Sequence, residues 1–237
     1  MLEAALLAAA LMQLGLRVSG RPILAARLLP SRGEPPFAVW AARLWLSFAL
    51  PALVALLLIG RGEALWSLPA ELAPAAALAR SHGRFEAWPI LTGLALGSVL
   101  TAGLSWWRRW RGKRPFYLSR PPRPPSSPRE LPAAALLAVS AGVAEELYFR
   151  LTLPLLIAAA TGSALLGVLA SALLFGAAHR YQGRVGVVAT GLVGLFLSVV
   201  HLASGELWLA MACHAAIDLN ALVVRPALAM WGRGPPS

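Results

Sequence analysis

Long, unbroken runs of apolar residues recur along the whole chain, and they constrain the fold more than any other feature. Runs of about 20 apolar residues are long enough to cross a hydrocarbon layer roughly 30 Å thick. Charged residues make up only 13% of the 237 positions, whereas a soluble domain carries about 25%. A transmembrane barrel would need short segments that alternate between apolar and polar residues, and these runs do not alternate. We therefore predict an all-α fold, a polytopic membrane helical bundle.

The apolar runs predict about 7–8 transmembrane helices. The spans are expected at roughly 2–18, 38–60, 87–107, 131–149, 152–178, 184–203 and 205–226. The fifth of them is expected to break near Thr161 and Gly162. The first could be mistaken for a signal peptide, but it has no basic start and carries Glu3. We therefore expect it to be retained as a span.

Basic residues are concentrated in two connections, 17–36 and 108–130, and give the chain a net charge of +11. The connection at 61–86 instead balances its arginines with glutamates. The positive-inside rule predicts that the two basic connections face the cytoplasm and that 61–86 faces the outer side. Nucleic-acid binding is the rival interpretation of so much charge. Because the basic stretches flank apolar spans, we favour contact with lipid and expect no nucleic-acid partner.

Composition divides the chain into three predicted regions. Residues 1–130 form an N-terminal membrane segment that includes the basic, Pro-rich loop 108–130, residues 131–225 form a helical core, and 226–237 form a short polar tail. The core contains nearly all the polar groups that apolar spans should not contain. The single cysteine, Cys213, excludes a disulfide framework and a Cys-rich metal site. We interpret it as a small packing residue.

Ionisable side chains inside apolar helices are costly, and by default they mark functional sites. The core carries them in three places: Glu145, Glu146 and Arg150; His179; and His214 with Asp218. Glu146 and Arg150 are spaced i,i+4 in the acid-first order, so they can pair on a helix. Glu145 is rotated by about 100° from Glu146, which leaves it as a free carboxylate suited to general-base chemistry. The alternative is that all three charges form one ion-pair cluster that only holds helices together.

Two further pairs in the core share the i,i+4 spacing of one helix face. His214 and Asp218 can hydrogen-bond on such a face, and His179 follows Phe175 at the same spacing. A lone histidine on an apolar helix is more often structural than catalytic. Three helices that each bring polar groups inward instead indicate a shared site. His201 lies close to the end of a predicted span, and we interpret it as interfacial.

Several protease classes are excluded by what the sequence lacks. The chain contains one aspartate, which rules out an intramembrane protease that uses two. No H-E-x-x-H motif and no G-x-S-x-G motif occurs, which removes the usual membrane metalloproteases and the nucleophile-elbow hydrolases. The remaining motifs are E-E-x-x-x-R at 145–150, F-x-x-x-H at 175–179 and H-x-x-x-D at 214–218.

These three motifs, in this order and each on its own apolar helix, resemble the CAAX prenyl-protease and bacteriocin-processing (CPBP, Abi) family of intramembrane peptidases. The resemblance covers roughly 131–225 and does not extend to 1–130. It implies a helical-bundle endopeptidase whose catalytic residues are Glu145 and His179, which activate a water, and His214 and Asp218, which stabilise the oxyanion. It also implies a structural supporting role for Glu146, Arg150 and Phe175.

Position 218 departs from the pattern of the eukaryotic prenyl-protein enzymes, which have asparagine there. An ionised aspartate cannot donate a hydrogen bond to an oxyanion. The resemblance therefore leaves two roles for Asp218, either a protonated donor or a residue that orients His214.

The resemblance also leaves the need for a metal open, because the family has been described both as metallopeptidases and as metal-free glutamate peptidases. Glu145, His179 and His214 would make a two-histidine, one-carboxylate zinc set with a water in the fourth position. We expect either no cofactor or one divalent metal, and we slightly favour the metal-free reaction.

The function that the resemblance implies is hydrolysis of peptide bonds in membrane-associated or prenyl-type peptides. The implied partners are a peptide or protein substrate and the lipid bilayer, and the implied location is the bacterial cytoplasmic membrane. Two alternatives stay open. A transporter or proton relay would also bury carboxylates and histidines, although no repeat with paired broken helices is visible. A non-catalytic bacteriocin-immunity protein would keep the same bundle without turnover.

Overall fold

The computed structural model describes residues 1–21, 24–31, 35–81, 86–113 and 123–231. Within these ranges the chain forms helices and turns and contains no β-strand. The predicted all-α membrane bundle is therefore confirmed. Residues 114–122 of the basic Pro-rich loop and residues 232–237 of the predicted tail lie outside the described part of the chain.

The described helices follow one another along the chain. They are α1 (Leu2–Val18), α2 (Leu24–Leu28), α3 (Phe37–Leu58), α4 (Ala73–Arg80), α5 (Ala87–Trp110), α6 (Pro128–Thr161), α7 (Ala164–Ala178), α8 (Arg180–Ser204) and α9 (Leu207–Trp231). Short 3₁₀ turns, Gly62–Leu65 and Ala70–Leu72, lie between α3 and α4.

Five helices in the described part of the chain are long and apolar enough to cross a membrane, namely α3, α5, α6, α8 and α9. With 17 and 15 residues, α1 and α7 are shorter than these five. The predicted count of 7–8 spans is therefore not confirmed. The short α7 nevertheless carries the second motif, and it packs between α6 and α8.

The helix α6 is longer than predicted, because it continues through the position where two spans were expected to separate. The predicted division between 149 and 152 is wrong, since the backbone only widens there into a π-helical turn, Leu147–Thr152. That turn ends two residues before Pro154, whose ring does not fit a regular α-helical interior. The predicted break near Thr161 and Gly162 is confirmed, because Gly162 ends α6 with a φ of 71°.

The first and third motifs are brought together by a close contact between α6 and α9. A Cβ atom placed on Gly142 would lie 2.8 Å from the backbone oxygen of Met211 and 2.8 Å from the backbone nitrogen of Ala215. Only glycine allows the two backbones to approach this closely. One turn after Gly142, α6 carries Glu145 and Glu146, which therefore face α9.

An aromatic row fills the core beneath this contact and joins helices from both halves of the chain. Phe48 of α3 packs against Tyr148 and Phe149 of α6, with ring centroids 5.2 and 5.3 Å apart. Phe149 in turn packs edge-on against Phe175 of α7, at 5.0 Å. These buried contacts fix the rotation of α6 and α7 about their axes, and with it the directions of the motif side chains.

Candidate active site

The two neighbouring glutamates of the first motif have different main partners, and Glu146 pairs with Arg150. Glu146 Oε2 lies 3.1 Å from Arg150 Nε, and both side chains are fully buried. The pairing predicted from the i,i+4 spacing is thus present. The Arg150 guanidinium also lies over the ring of Phe175, 4.2 Å from its centroid, which gives the buried cation a second favourable neighbour.

The other carboxylate oxygen of Glu146 binds His214, a contact that the sequence did not predict. His214 Nδ1 lies 2.7 Å from Glu146 Oε1. Because a carboxylate accepts, Nδ1 donates the proton, and Nε2 is the nitrogen that remains free for other partners. Glu146 therefore links α6 to α9 and fixes the orientation of the His214 ring.

Asp218 does not have the orienting role that its spacing from His214 suggests. The distance from Asp218 Oδ2 to His214 Nε2 is 3.8 Å, which is longer than a hydrogen bond. Glu146 holds the opposite nitrogen of the ring instead. Asp218 is partly exposed and lies on the wall of a cavity, so its carboxyl group is accessible to a bound molecule.

His179 is oriented by the way α7 ends. Its backbone N–H bonds to Gly176 in a tighter turn, so the carbonyl of Phe175 is left without its usual i+4 partner. The His179 ring takes that place, with Nδ1 2.8 Å from the Phe175 oxygen. A carbonyl can only accept, so Nδ1 donates and Nε2 keeps a free lone pair in the neutral ring.

Glu145 lies between the two histidines. Its Oε2 is 3.9 Å from Nε2 of His179 and 3.9 Å from Nε2 of His214. Only 4% of Glu145 is exposed, and the exposed part faces the same cavity as His179 and Asp218. The structure therefore brings together Glu145, His179, His214 and Asp218, which the sequence assigned to one site.

A cavity of about 690 Å³ leads from this cluster to the protein surface. One wall is apolar and is formed mainly by Phe37, Trp40, Leu44, Leu137 and Leu222. The rim is basic and contains Arg17, Arg21, Arg43, Arg123 and Arg180. Several of these arginines come from the two connections that the charge pattern predicts to be cytoplasmic. The N-terminal helices α1 and α3 thus contribute to the cavity, a contribution that the sequence did not reveal.

His201 and Cys213, which the sequence placed outside the site, are both buried. His201 was predicted to be interfacial, but it is only 2% exposed and lies beside Arg150 and Glu146. His201 does lie in the last turn of α8, which ends at Ser204, but its side chain is buried against α6 rather than exposed. Cys213 is fully buried among apolar side chains of α8 and α9, as expected for a packing residue.

The predicted zinc set does not fit the observed spacing of its donors. Among the residues that the structure describes, no group of three His, Cys, Asp or Glu side chains is arranged to hold a metal. The separations of 3.9 Å from Glu145 to His179 and to His214 exceed the roughly 3.3 Å between neighbouring ligands of a tetrahedral zinc. These three side chains therefore do not fit a tetrahedral zinc ion, and no reaction step is assigned to a metal.

Comparison with known proteins identifies the segment that carries these motifs. Residues 127–220 match the family model described as type II CAAX prenyl endopeptidase, Rce1-like. The match contains all three motifs and extends from the start of α6 into α9. No curated protein and no solved structure matches the chain. The resemblance inferred from the motifs is thereby confirmed: this is an integral membrane protein whose segment 127–220 matches the model of the Rce1-like type II CAAX prenyl endopeptidases, a family of proteases.

Proposed function

We propose that this protein is an intramembrane endopeptidase that hydrolyses membrane-associated or prenyl-type peptides with a water activated by Glu145 and His179. One observation carries the proposal. The Glu145 carboxylate faces the free Nε2 atoms of two histidines whose other nitrogens are already bound. A base flanked by two oriented imidazoles at the end of a cavity is the arrangement that water activation requires.

The space between Glu145 and His179 suits a single water. Glu145 Oε2 and His179 Nε2 are 3.9 Å apart. A water placed about 2.8 Å from each of these atoms would bridge them, with an angle near 90° at the water oxygen. One water proton passes to Glu145 or His179 as the water oxygen bonds to the peptide carbonyl carbon. The C–N bond then breaks, the same proton passes to the amine nitrogen, and an acid and an amine result.

The oxyanion develops on the carbonyl oxygen of the substrate and requires hydrogen-bond donors. We assign this role to His214 and Asp218. His214 as an imidazolium can donate from Nε2 while Nδ1 stays bound to Glu146. Asp218 in its protonated form carries an O–H that can donate beside it. The distance of 3.8 Å between them leaves room for one oxygen atom within reach of both groups.

The apolar wall of the cavity suits the hydrocarbon part of a membrane-associated or prenyl-type peptide, since such a wall removes apolar surface from water. In this proposal the predicted core 131–225 supplies the catalytic groups, and the N-terminal segment 1–130 supplies the wall through Phe37, Trp40 and Leu44. The lipid bilayer is the medium through which such a substrate would reach the cavity.

The proposal is tested by incubating the purified, membrane-reconstituted protein with a panel of prenylated peptides and identifying products by mass spectrometry. Cleavage in ¹⁸O-water should place one heavy oxygen in the new carboxyl group. The matched negative control is the Glu145→Gln protein. If the wild-type protein cleaves no peptide of the panel, or if the Glu145→Gln protein cleaves as fast, the proposal is wrong.

Substitutions at Asp218 test whether this residue donates a hydrogen bond to the oxyanion or only contributes charge. Asp218→Asn is expected to retain most of the activity, because an amide N–H can donate where a protonated carboxyl does. Asp218→Ala is expected to lose at least 10-fold in kcat, a modest loss for one oxyanion donor. Both variants are measured for kcat and for bound metal. An Asn variant as inactive as the Ala variant, with both losing a metal that the wild type retains, would contradict this mechanism.

A further inference from the structure

Arg17 lies in the last turn of α1, far in sequence from the family-matched segment, yet it lines the same cavity as Glu145 and His179. Its guanidinium lies over the ring of Phe48, 5.1 Å from the centroid. Its Nε atom is buried and has no hydrogen-bond partner among the described residues. In the described part of the chain, no carboxylate forms an ion pair with it.

Three of the other four arginines of the rim have structural partners, and the fourth, Arg21, is exposed. Arg43 donates to a backbone carbonyl and to a serine hydroxyl in the connection before α3. Arg180 donates to a backbone carbonyl at the end of α1, and Arg123 pairs with Glu130. Arg17 thus differs from these three, because it lines the cavity with a buried Nε that has no hydrogen-bond partner among the described residues.

We propose that Arg17 binds a carboxylate of the peptide substrate, so that the enzyme prefers peptides with a carboxylate close to the bond that is cut. This inference rests on the proposed function and names the substrate chemistry that the site selects. A guanidinium presents its donors in a planar fork that matches a carboxylate, which makes the pair both strong and directional. Phe48 holds the plane of the guanidinium, so less side-chain freedom is lost on binding.

Arg17 gives a bound carboxylate a cationic partner in a cavity that also contains a catalytic carboxylate. Glu145 lines the same cavity, and its carboxylate would repel a second anion placed next to it. A carboxylate paired with Arg17 would be held in this cavity without a contact to Glu145. The carboxylate can come from an acidic side chain or from a free C-terminus, and the two sources share this chemistry.

The test measures binding separately from turnover. The full-length Glu145→Gln protein binds a fluorescent prenylated peptide made in matched pairs, with a C-terminal acid or amide and with Asp or Asn near the cleavage position. The carboxylate forms are expected to bind at least 10-fold more tightly. Adding Arg17→Gln should reduce this preference to less than about 3-fold, and Arg17→Lys should leave an intermediate preference, since lysine keeps the charge without the fork.

Arg27→Gln is the matched control, because it removes the same charge from the same basic segment at an exposed position that does not line the cavity. It should leave the preference unchanged. In the protein with Glu145 intact, Arg17→Gln should raise KM for the carboxylate peptides while kcat stays within about 3-fold. A preference for the C-terminal acid over the amide would show that the bound carboxylate is the C-terminus of the peptide. A preference for Asp over Asn would show that it is a side chain.

Equal binding of the carboxylate and neutral peptides by the Glu145→Gln protein would overturn the inference and leave the proposed peptidase activity untouched. An equal loss of preference in the Arg27→Gln variant would also overturn it, because the effect would then be general electrostatics. Absence of cleavage by the wild-type protein would refute the peptidase activity alone, since the binding preference is measured without turnover.

Discussion

Replacing Glu145 with glutamine is expected to lower kcat for a cleaved peptide by about 100- to 10,000-fold, the range typical of a lost general base. Glutamine has nearly the same shape but cannot take a proton from water. Among the described residues Glu145 has no hydrogen bond, and its contacts with the two histidines are 3.9 Å long, so its replacement breaks no short polar contact. The thermal unfolding midpoint should therefore stay close to that of the wild type.

The matched control for this variant is Glu63→Gln, which neutralises a largely exposed carboxylate in the connection between α3 and α4. It should change neither kcat nor the unfolding midpoint. Retention of more than about a tenth of the wild-type kcat in the Glu145→Gln protein would show that another group activates the water. A large fall in its unfolding midpoint would show instead that Glu145 is a structural residue.

Replacing Glu146 with glutamine is expected to damage both stability and activity, which differs from the purely structural role that the i,i+4 spacing suggests. The change leaves Arg150 buried without its counter-charge, and breaking a buried ion pair costs roughly 3–5 kcal/mol. It also removes the carboxylate that orients His214. Both effects are measured on the purified variant, by thermal unfolding and by kcat.

A second substitution separates these two effects. In the double variant Glu146→Gln with Arg150→Met, no unpaired buried cation remains, so much of the lost stability should return. Activity should stay low, because His214 still lacks its carboxylate partner. Arg150→Met alone leaves Glu146 buried without the arginine and should be less stable than the double variant. If the double variant recovers the wild-type kcat, the orientation of His214 by Glu146 is unimportant for the reaction.

The parts of this molecule that could be predicted are those set by local spacing. The i,i+4 rule was sufficient for the Glu146–Arg150 pair, and a glycine after an apolar run was sufficient for the break at Gly162. The exclusion of other protease classes required only the residue inventory. These features depend on one helix at a time, so the sequence contains all that is needed to derive them.

The parts that could not be predicted depend on which helices touch. The bond between Glu146 and His214 spans 68 positions, and no periodicity encodes it. Its one sequence signal is the small residue Gly142, one turn before the glutamates, which indicates a close helix contact without naming the partner. The His179 ring was likewise unpredictable, because its partner is a backbone carbonyl that becomes free only where α7 ends.

The link between Glu146 and His214 also has a consequence for biosynthesis. A membrane protein enters the bilayer in chain order, so α6 with its two glutamates is inserted well before α9. Until α9 arrives, Glu146 has only Arg150 as a partner, Gly142 faces no packed backbone, and the second imidazole is missing. The nascent chain therefore carries an incomplete site while its last span is still outside the membrane. Such an order of assembly would protect neighbouring proteins in the membrane from a premature protease.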